Sequence, residues 1–333
     1  MKHPVLPGCE QHPLPFYLAM EEWIARYLPP DEYFFAWRVN PTVICGRNQD
    51  IEKEVDLPYC HSNGIDVVRR RSGGGCVYAD MNNWMFSYIT PDEAVSATFE
   101  RYTSMVAEML CSLGFEATAT GRNDIFIGDR KVAGNAFYHM RGRSIVHGTM
   151  LCDFDAERMA RAITPSRSKL ESKAVQSVPS HITSLKNEGL KMSVEEFGRY
   201  AVDYLTDGSD IVLSVKNIAE ISAIEQTYYQ PSFSFGIQKS HEKAPGSHEI
   251  RRHARVDGAG EFEILITLNS RNEIDDLRIT GDFFAIDDVE LKLIAAVRRI
   301  EYKHEALVGA IAAIMPEKII RGLDRETLLS LLI

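Results

Sequence analysis

Several features that mark other protein classes are missing from this sequence of 333 residues. No run of about 18 apolar residues occurs, and residues 1–15 contain no apolar signal-peptide core, so neither a membrane span nor a secretory leader is expected. The six cysteines form no C-x-x-C pair, which argues against a zinc site and against a disulfide framework. The formal net charge of -10 argues against nucleic-acid binding, because such a surface usually needs a basic face. We therefore expect a cytoplasmic protein with no membrane or nucleic-acid partner, and we expect a monomer.

The two commonest phosphate-binding patterns, G-x-x-x-x-G-K-[ST] and G-x-G-x-x-G, are also absent, so the folds that carry them are not indicated. The composition is that of an ordinary globular protein, with 45% apolar and 25% charged residues. The length exceeds the roughly 100 to 200 residues of a typical domain, which favours two domains. We predict that they comprise residues 1–240 and 247–333. The segment 228–246, rich in Gln, Ser, Pro and Gly, is the predicted linker.

Helical and strand-like periodicities alternate along the chain. A helix is predicted over residues 16–28, with Glu21, Glu22 and Arg26 on its solvent-facing side. A β-hairpin with a polar turn is predicted over residues 76–89. Further helices are predicted at residues 96–113, 194–205, 289–299, 306–314 and 325–332, and further strands at 34–39, 43–45, 124–127, 131–137, 145–152, 250–256, 261–268 and 274–279. Together they predict an α+β fold, with a large mixed or antiparallel sheet in the first domain and a small α+β second domain.

The segment from Arg69 to Tyr78 places three arginines directly before a serine and three glycines. Glycines let backbone N–H groups approach an anion closely, and guanidinium groups bind phosphate through two hydrogen bonds. An anion site, such as one for a nucleotide phosphate, is one interpretation. A flexible connection between strands is the other, since such a turn alone is weak evidence.

A second segment contains Asn123, Asp124 and Lys131, the last on a predicted strand among small residues. A fixed ammonium there could stabilise the charge that develops on a carboxylate and an α-phosphate during acyl-adenylate formation. Asn123 and Asp124 offer the oxygen ligands that Mg²⁺ prefers beside phosphates. A solvated surface role for the lysine is the alternative.

A third segment, His147-Gly148-Thr149, begins an apolar strand. A lone histidine is more often a hydrogen-bonded structural residue than an acid or a base, so we assign His147 no base role.

The order and spacing of these three segments resemble the lipoate-protein ligase family. The family's R-R-x-S-G-G-G-x-V-[YF], G-R-N-D, K-[VI]-[SA]-G and H-G-T patterns occur at residues 69–78, 121–124, 131–134 and 147–149. Weaker similarity extends over residues 43–49 and 171–178, and residues 281–284 resemble the G-D-F-F signature of the family's accessory domain. The resemblance therefore covers nearly the whole chain.

The resemblance implies a catalytic domain of the biotin/lipoate ligase type, an accessory domain and a two-step reaction. Lipoate would be activated by ATP and Mg²⁺ to lipoyl-AMP, and the lipoyl group would pass to a lysine of an acceptor lipoyl domain of a 2-oxoacid dehydrogenase or of a glycine-cleavage H protein. Lys131 would be catalytic and Asp124 would bind the metal. The implied ATP- and lipoyl-AMP-binding residues are Arg70, Ser72, Gly73, Gly74, Gly75, Cys76, Val77, Tyr78, Asn123, Asp124, Lys131, Ala133, Gly134, His147, Gly148 and Thr149.

Several positions depart from the family pattern. Cys76 stands where alanine is common, Ala79 and Asn82 replace the His and Gly of an H-D-x-G-N run, and Pro179 and His181 interrupt S-V-R-S-R-V. The tryptophan-rich junction is reduced to residues 228–233. These departures leave the acyl substrate and the carrier open.

Two other interpretations remain. One is an ATP-independent octanoyl or lipoyl transferase with Cys76 or Cys152 as nucleophile, since a cysteine beside three arginines has an electropositive setting. The other is a binding module that holds a lipoylated carrier or lipoyl-AMP without turnover, although such a module would not need the charge of Lys131. A biotin ligase is disfavoured because its G-R-G-R-x-G loop is absent.

Overall fold

The computed structural model describes residues 1–8, 10–91, 94–119, 123–163, 182–234 and 246–333. Gly121 and Arg122 of the second motif, the segment 171–181 and the linker residues 235–245 lie outside the described residues. By its internal contacts the chain divides into two units. The first comprises Met1–Cys45, Ile51–Arg70 and Cys76–Ser234, and the second comprises Gly46–Asp50, Arg71–Gly75 and Phe235–Ile333.

The first unit is built on a six-stranded sheet and two smaller sheets. Its strands are β1 His3–Val5, β2 Tyr33–Trp37, β3 Thr42–Cys45, β4 Asp66–Arg69, β5 Val77–Ala79, β6 Trp84–Pro91, β7 Ala117–Ala119, β8 Asp124–Ile127, β9 Arg130–Met140, β10 Arg143–Met150 and β11 Asp210–Val212. Within the described residues the large sheet has the order β2-β6-β10-β9-β8-β7, and a second sheet has the order β4-β3-β5. All neighbours in the large sheet are antiparallel. This confirms the predicted α+β class and the antiparallel neighbours around β9.

Helices cover these sheets. They are α1 Leu14–Tyr27, α2 Ile51–Glu54, α3 Leu57–Ser62, α4 Val95–Ser112, α5 Ala156–Ala162, α6 Val194–Leu205, α7 Val215–Glu225 and α8 Pro231–Ser234. The helix predicted at residues 96–113 is present as α4 and buries one apolar face, and Gly114 follows it with a φ of 90°, a conformation that glycine adopts without strain. No helix in the described part of the chain is both long and apolar enough to span a bilayer.

Helix α1 differs from its predicted amphipathic form. Glu21 and Glu22 were expected to face solvent, but both are fully buried. The reason is that α1 packs between the large sheet and α7, so it has no fully solvated side. Glu22 accepts hydrogen bonds from Arg26 and from the Tyr228 hydroxyl, both 2.6 Å away. Burial of these carboxylates is therefore compensated by charge-assisted hydrogen bonds.

The predicted hairpin over residues 76–89 is wrong. The polar turn is present, since the carboxylate of Asp80 accepts a hydrogen bond from the backbone N–H of Asn82. However, β5 pairs with β3, whereas β6 pairs with β2 and β10. The turn thus carries the chain from one sheet to another. A local turn signal predicts the turn but not which partners its flanking strands find.

The second unit has a three-stranded antiparallel sheet of β12 His248–Val256, β13 Gly260–Leu268 and β14 Ile274–Phe283. A π-helical turn at Glu290–Ile294, the helices α9 Ala295–Val297, α10 His304–Ile311 and α11 Arg325–Leu332, and a 3-10 turn at Pro316–Lys318 complete it. Its apolar residues form a core of their own, which includes Phe262, Ile266 and Leu328.

Candidate active site

A row of paired residues crosses the large sheet and ends at Asp124. The register pairs Trp37 on β2 with Met85 on β6, and Met85 with Thr149 on β10. It continues from Thr149 to Gly134 on β9 and from Gly134 to Asp124 on β8. Because directly paired residues point to the same face of a sheet, this row brings the second and third predicted motifs together on one face.

A β-bulge places Lys131 on this same face. The register between β8 and β9 shifts after Ile125, which leaves Val132 as an extra residue on β9. In a regular strand Lys131 and Gly134 would point to opposite faces, and the extra residue brings them to the same one. The Nζ atom of Lys131 lies 2.7 Å from Oδ1 of Asp124. A Cβ atom at position 134 would come within 2.7 Å of that Nζ, so glycine leaves the room that the lysine occupies.

Asn123 is held in place by Asn135 on the opposite face of the sheet. Asn135 pairs with Gly148, and a Cβ atom at position 148 would lie only 1.8 Å from Oδ1 of Asn135. The freed space holds the Asn135 amide, whose Nδ2 donates to the carbonyl of Asn123 at 2.7 Å. The Nδ2 of Asn123 donates in return to the carbonyl of Asn135 at 3.0 Å. The absence of a side chain at Gly148 therefore lets Asn135 hold Asn123 of the second motif in place.

His147 belongs to a buried hydrogen-bond network. Its Nδ1 lies 2.9 Å from the carboxylate of Glu21, which is fully buried. The same carboxylate accepts hydrogen bonds from the hydroxyls of Ser87, at 2.6 Å, and Tyr138, at 3.3 Å. Ser87 in turn accepts one from Trp37 Nε1 at 2.8 Å. This setting agrees with the interpretation of His147 as a hydrogen-bonded structural residue rather than a base.

The arginines that precede the glycines are held by backbone carbonyls. Arg69, at the end of β4, donates from Nε to the carbonyl of Ser234 at 2.9 Å. Arg70 donates from Nη1 to the carbonyl of Ile44 at 3.0 Å and from its backbone N–H to the carbonyl of Cys45 at 2.9 Å. Both side chains are buried, so their charges occupy fixed positions in a medium of low dielectric constant.

The three glycines pack against the end of β14, within the second unit. The backbone N–H of Gly74, a residue with a φ of 87°, donates to the carbonyl of Phe283 at 3.0 Å. A Cβ atom at Gly73 would lie 2.2 Å from that carbonyl oxygen, and one at Gly75 would lie 2.7 Å from the carboxylate of Asp282. Glycine is therefore required at position 73 by close backbone packing and is favoured at position 74 by its positive φ, whereas at position 75 it makes room for the Asp282 side chain.

The residues around these glycines differ in exposure. Ser72 is buried, and its carbonyl accepts the backbone N–H of Arg47 at 2.8 Å. Val77 is half-buried, whereas the Tyr78 side chain is buried and burial raises its pKa to about 12. Tyr78 packs in the small core that also contains Val43, so only its backbone could face a ligand on the other side of β5.

Neither proposed nucleophilic cysteine has the depressed pKa that activates a thiol. A hydrogen bond to Cys45, followed by burial, raises the pKa of Cys76 well above its ordinary value. Burial raises the pKa of Cys152 to about 12. A thiol in either position is protonated at neutral pH, which disfavours thioester chemistry.

The described residues contain no group of three or more His, Cys, Asp or Glu side chains placed to hold a metal ion. Asp124 is a single carboxylate, about one quarter exposed, beside the Lys131 ammonium. Such a donor fits Mg²⁺ only where substrate phosphates and water supply the remaining ligands, which is how this ion is usually bound.

The described sheet thus brings together Asp124, Lys131, Gly134 and Thr149, with Asn123 and Gly148 behind them. Ala133 is buried in β9 opposite Ile125. The Thr149 hydroxyl points to Met85 Sδ at 3.2 Å. The sequence-based prediction overlooked Glu21, Trp37 and Asn135. No signal in the helical pattern marks Glu21 as buried, because its burial depends on α7, which lies far along the chain.

Comparison with known protein families gives two matches. The lipoyl protein ligase A/B catalytic domain matches residues 13–206, and the bacterial lipoate protein ligase C-terminus matches residues 247–332. The chain is 33% identical over 283 residues to lipoate-protein ligase LplJ of Bacillus subtilis, covering 82% of each chain. It is 32% identical over 310 residues to lipoate–protein ligase 1 of Staphylococcus aureus, covering 87% of this chain and 89% of the relative.

Solved structures show the same fold. LipL1 of P. falciparum, solved in complex with lipoate, has a TM-score of 0.70 at 20% identity, and the match covers 99% of this chain and 97% of that one. The bipartite lipoate protein ligase of Thermoplasma acidophilum, described with its E2 lipoyl domain, has a TM-score of 0.61 at 23% identity, covering 72% and 98%. A lipoate-protein ligase A bound with ATP has a TM-score of 0.59 at 22% identity, covering 71% and 99%.

Proposed function

The chain belongs to the lipoate-protein ligase family, and from this we propose that it activates lipoate with ATP and transfers the lipoyl group to a lysine of a carrier protein. The observation that carries the proposal is the Lys131 ammonium, which a β-bulge holds beside Asp124 on the face shared with Gly134 and Thr149. A fixed positive charge next to a carboxylate suits a reaction in which negative charge moves between a carboxylate and a phosphate.

In the proposed first step, a lipoate carboxylate oxygen attacks the α-phosphorus of ATP, and the bond from that phosphorus to the β-phosphate oxygen breaks. Lys131 would stabilise the negative charge shared by the carboxylate and α-phosphate oxygens. Arg70, whose guanidinium is anchored on Ile44, would contribute fixed positive charge near the phosphates. The products are lipoyl-AMP and pyrophosphate.

In the proposed second step, the amine of a carrier lysine attacks the acyl carbon, AMP leaves with the C–O bond electrons, and the amine loses a proton to water. No strong protein base is required because the mixed anhydride is already activated. The chain's residues therefore contribute position and charge, and ATP supplies the energy.

We propose that a magnesium ion would be held through Asp124. When bound, the ion would neutralise phosphate charge. The hydrogen bonds between Asn123 and Asn135 fix the backbone immediately before Asp124 and therefore orient this carboxylate.

We also propose that residues 1–240 form the catalytic domain and residues 247–333 an accessory domain. The acceptor would be a lipoyl domain or a glycine-cleavage H protein. The ligase of Thermoplasma acidophilum, which was described together with an E2 lipoyl domain, supports the first of these acceptors.

The test is to incubate the protein with ATP, Mg²⁺ and lipoate and to measure pyrophosphate and AMP with and without apo lipoyl domain or apo H protein. We expect pyrophosphate without a carrier, and AMP together with a mass increase on the carrier lysine when the correct carrier is added. Absence of pyrophosphate under all conditions contradicts the proposal. An arm without ATP, supplied with an octanoylated or lipoylated carrier, tests the thiol-dependent transferase, whose activity would disappear in Cys76→Ala or Cys152→Ala.

A further inference from the structure

Two cysteines face each other at the ends of β3 and β5. Cys45 is the last residue of β3, and Cys76 directly precedes β5. The antiparallel register pairs Ile44 with Val77, so the next positions, 45 and 76, lie directly opposite each other. Their Sγ atoms are 3.5 Å apart, and the Cys76 thiol is a hydrogen-bond donor to Cys45. Neither cysteine is in a disulfide.

The backbone geometry at this pair suits a disulfide. Directly opposite residues on antiparallel strands have Cα atoms about 4.5 to 5.5 Å apart, within the range of about 4.4 to 6.8 Å that disulfides span. The sulfur atoms need to approach from 3.5 Å to about 2.05 Å. Gly46 follows one cysteine and Gly75 precedes the other, and glycine adjusts its backbone dihedrals more easily than other residues.

The chemical environment shifts the pKa values of the two thiols in opposite directions. The hydrogen bond from Cys76, together with the charges of Arg69 and Arg70, lowers the pKa of Cys45. The same hydrogen bond, followed by burial, raises the pKa of Cys76. Cys45 is buried, whereas Cys76 is partly exposed. A thiol with a lowered pKa beside a second thiol is the arrangement that converts one oxidised sulfur into a disulfide.

We propose that Cys45 and Cys76 form a reversible disulfide when the protein meets a hydroperoxide. One sulfur attacks the peroxide oxygen and becomes a sulfenic acid as the O–O bond breaks and an alcohol, or water, leaves. The other sulfur then attacks the sulfenic sulfur, the S–S bond forms, and water leaves. Two thiols lose two electrons and two protons, and the hydroperoxide is reduced. A small dithiol reverses the reaction by exchange.

The disulfide would tie together the bases of two loops. Cys45 precedes the loop of residues 46–50, and Cys76 follows Gly73-Gly74-Gly75. Cross-linking at position 76 therefore restricts the backbone of residues 70–78, the segment that the family resemblance implies in nucleotide binding. This consequence rests on the proposed function, but the disulfide itself does not. We expect oxidation to lower the rate of adenylation at least about tenfold, because small misplacements of binding groups reduce rates strongly.

The experiment treats the full-length protein with hydrogen peroxide, blocks remaining thiols with N-ethylmaleimide and maps peptides by mass spectrometry without reduction. We expect a linked pair of peptides containing Cys45 and Cys76, which separates after dithiothreitol. Cys45→Ala is the test variant, and Cys111→Ser is the matched control, because Cys111 is exposed on α4 and distant in sequence from the pair. The control should form the linked peptide as the wild type does.

Each sample is also assayed for pyrophosphate release, and each variant is compared with its own untreated form. The ratio of oxidised to untreated activity should fall in the wild type and in Cys111→Ser, recover with dithiothreitol, and stay near one in Cys45→Ala. Oxidised Cys111 shows that the peroxide has acted on the protein. If Cys45 and Cys76 are then both found alkylated by N-ethylmaleimide, they have remained reduced, and the proposed disulfide is overturned. A linked peptide with unchanged adenylation would overturn its effect on the loop. Untreated protein without adenylation would instead contradict the proposed function, while the peptide map still decides the disulfide.

Discussion

At the scale of single residues, the Lys131 ammonium is the group on which the proposed chemistry depends most. It is about one third exposed and makes an ion pair with Asp124 rather than packing in a core. We therefore expect Lys131→Ala to lower the adenylation rate by about 10²- to 10³-fold, the usual effect of removing one electrostatic contact to a transition state. The unfolding midpoint should change little, because an exposed ion pair contributes little stability.

Lys186→Ala is the matched control for this change. Lys186 also pairs with a carboxylate, that of Asp153 at 2.6 Å, but its side chain is 69% exposed. Pyrophosphate release should be normal in this variant. Wild-type adenylation by Lys131→Ala, or an equal loss in both variants, would contradict the role given to Lys131.

Gly148 illustrates a residue whose importance is steric. A Cβ atom there would lie 1.8 Å from Oδ1 of Asn135, on adjacent strands of a buried sheet. We expect Gly148→Ala to lower the free energy of unfolding by about 1 to 3 kcal/mol, since overpacking forces side chains from their preferred positions. Gly309→Ala should instead stabilise by up to about 1 kcal/mol, because Gly309 lies within α10 with open space around its Cα. Urea denaturation measures the free energy of unfolding of both variants. Equal changes in the two would show that packing against Asn135 does not determine the effect at position 148.

Tyr78 gives the protein an alkaline sensitivity. Burial raises its pKa to about 12, and among the described residues its hydroxyl has no hydrogen-bond partner. The folded state holds the Tyr78 proton more tightly than the unfolded state. The contribution of this protonation to the free energy of unfolding is therefore complete below pH 10 and is lost as the pH rises from 10 to 12. The lost stability is about 1.4 kcal/mol per pH unit in that window.

The variant Tyr78→Phe cannot ionise at this position. Its free energy of unfolding should fall less steeply than that of the wild type between pH 10 and 12, whereas at pH 7 it should equal or exceed the wild-type value, because a buried hydroxyl without a partner is costly. Guanidinium unfolding at a series of pH values tests this. Identical slopes for the two proteins would contradict the assignment.

At the scale of secondary-structure elements, α1 is joined to the sheet by a buried carboxylate. Glu21 accepts hydrogen bonds from Ser87 and Tyr138 and contacts His147. Glu21→Ala removes this shared acceptor from all three groups, and we expect a loss of about 2 to 4 kcal/mol in the free energy of unfolding. Glu108→Ala, on the exposed side of α4, should stay within about 0.5 kcal/mol of the wild type. If thermal and urea unfolding gave similar values for both variants, the network would not hold α1 to the sheet.

The same elements show what the sequence could predict. The long strands β9 and β10 and the helix α4 follow from periodicity, because their patterns match their burial over many residues. The burial of Glu21 and Glu22 could not be predicted, since a helix covered on two sides needs knowledge of α7, which lies far along the chain. The bulge at Val132 is equally hidden, because one extra residue leaves no mark in a strand of small and apolar residues.

The candidate site also combines features that the sequence predicts with features that depend on tertiary structure. Lys131, Asp124 and Gly134 are named as site residues by their resemblance to the family motifs, since the residues alone leave a solvated surface role for the lysine open. Their common face depends on the bulge, and the reciprocal hydrogen bonds of Asn123 and Asn135 depend on strand pairing. The motifs predict which residues belong to the site, and the strand register decides which of them lie on one face.

At the scale of the whole molecule, the second unit has its own core and its own sheet, and this predicts independent folding of residues 246–333. Phe262, Ile266 and Leu328 are completely buried within that unit. The segment is also longer than the roughly 40 residues below which a domain usually needs disulfides or metals. We expect the isolated segment to unfold cooperatively in guanidinium, followed by far-ultraviolet circular dichroism.

The isolated segment should nevertheless be less stable than the same residues in the full chain. Removing residues 46–50 and 71–75 takes away the N–H of Gly74 that donates to the Phe283 carbonyl, and the Asn48 carbonyl that accepts from Gly281. Each lost hydrogen bond at a site that water can then reach costs about 0.5 to 1.5 kcal/mol. Phe262→Ala in the isolated segment serves as the control for a specific core and should abolish cooperative unfolding, because it removes about 3 to 5 kcal/mol. A gradual, non-cooperative transition in the unmodified segment would mean that its core needs the rest of the chain to form.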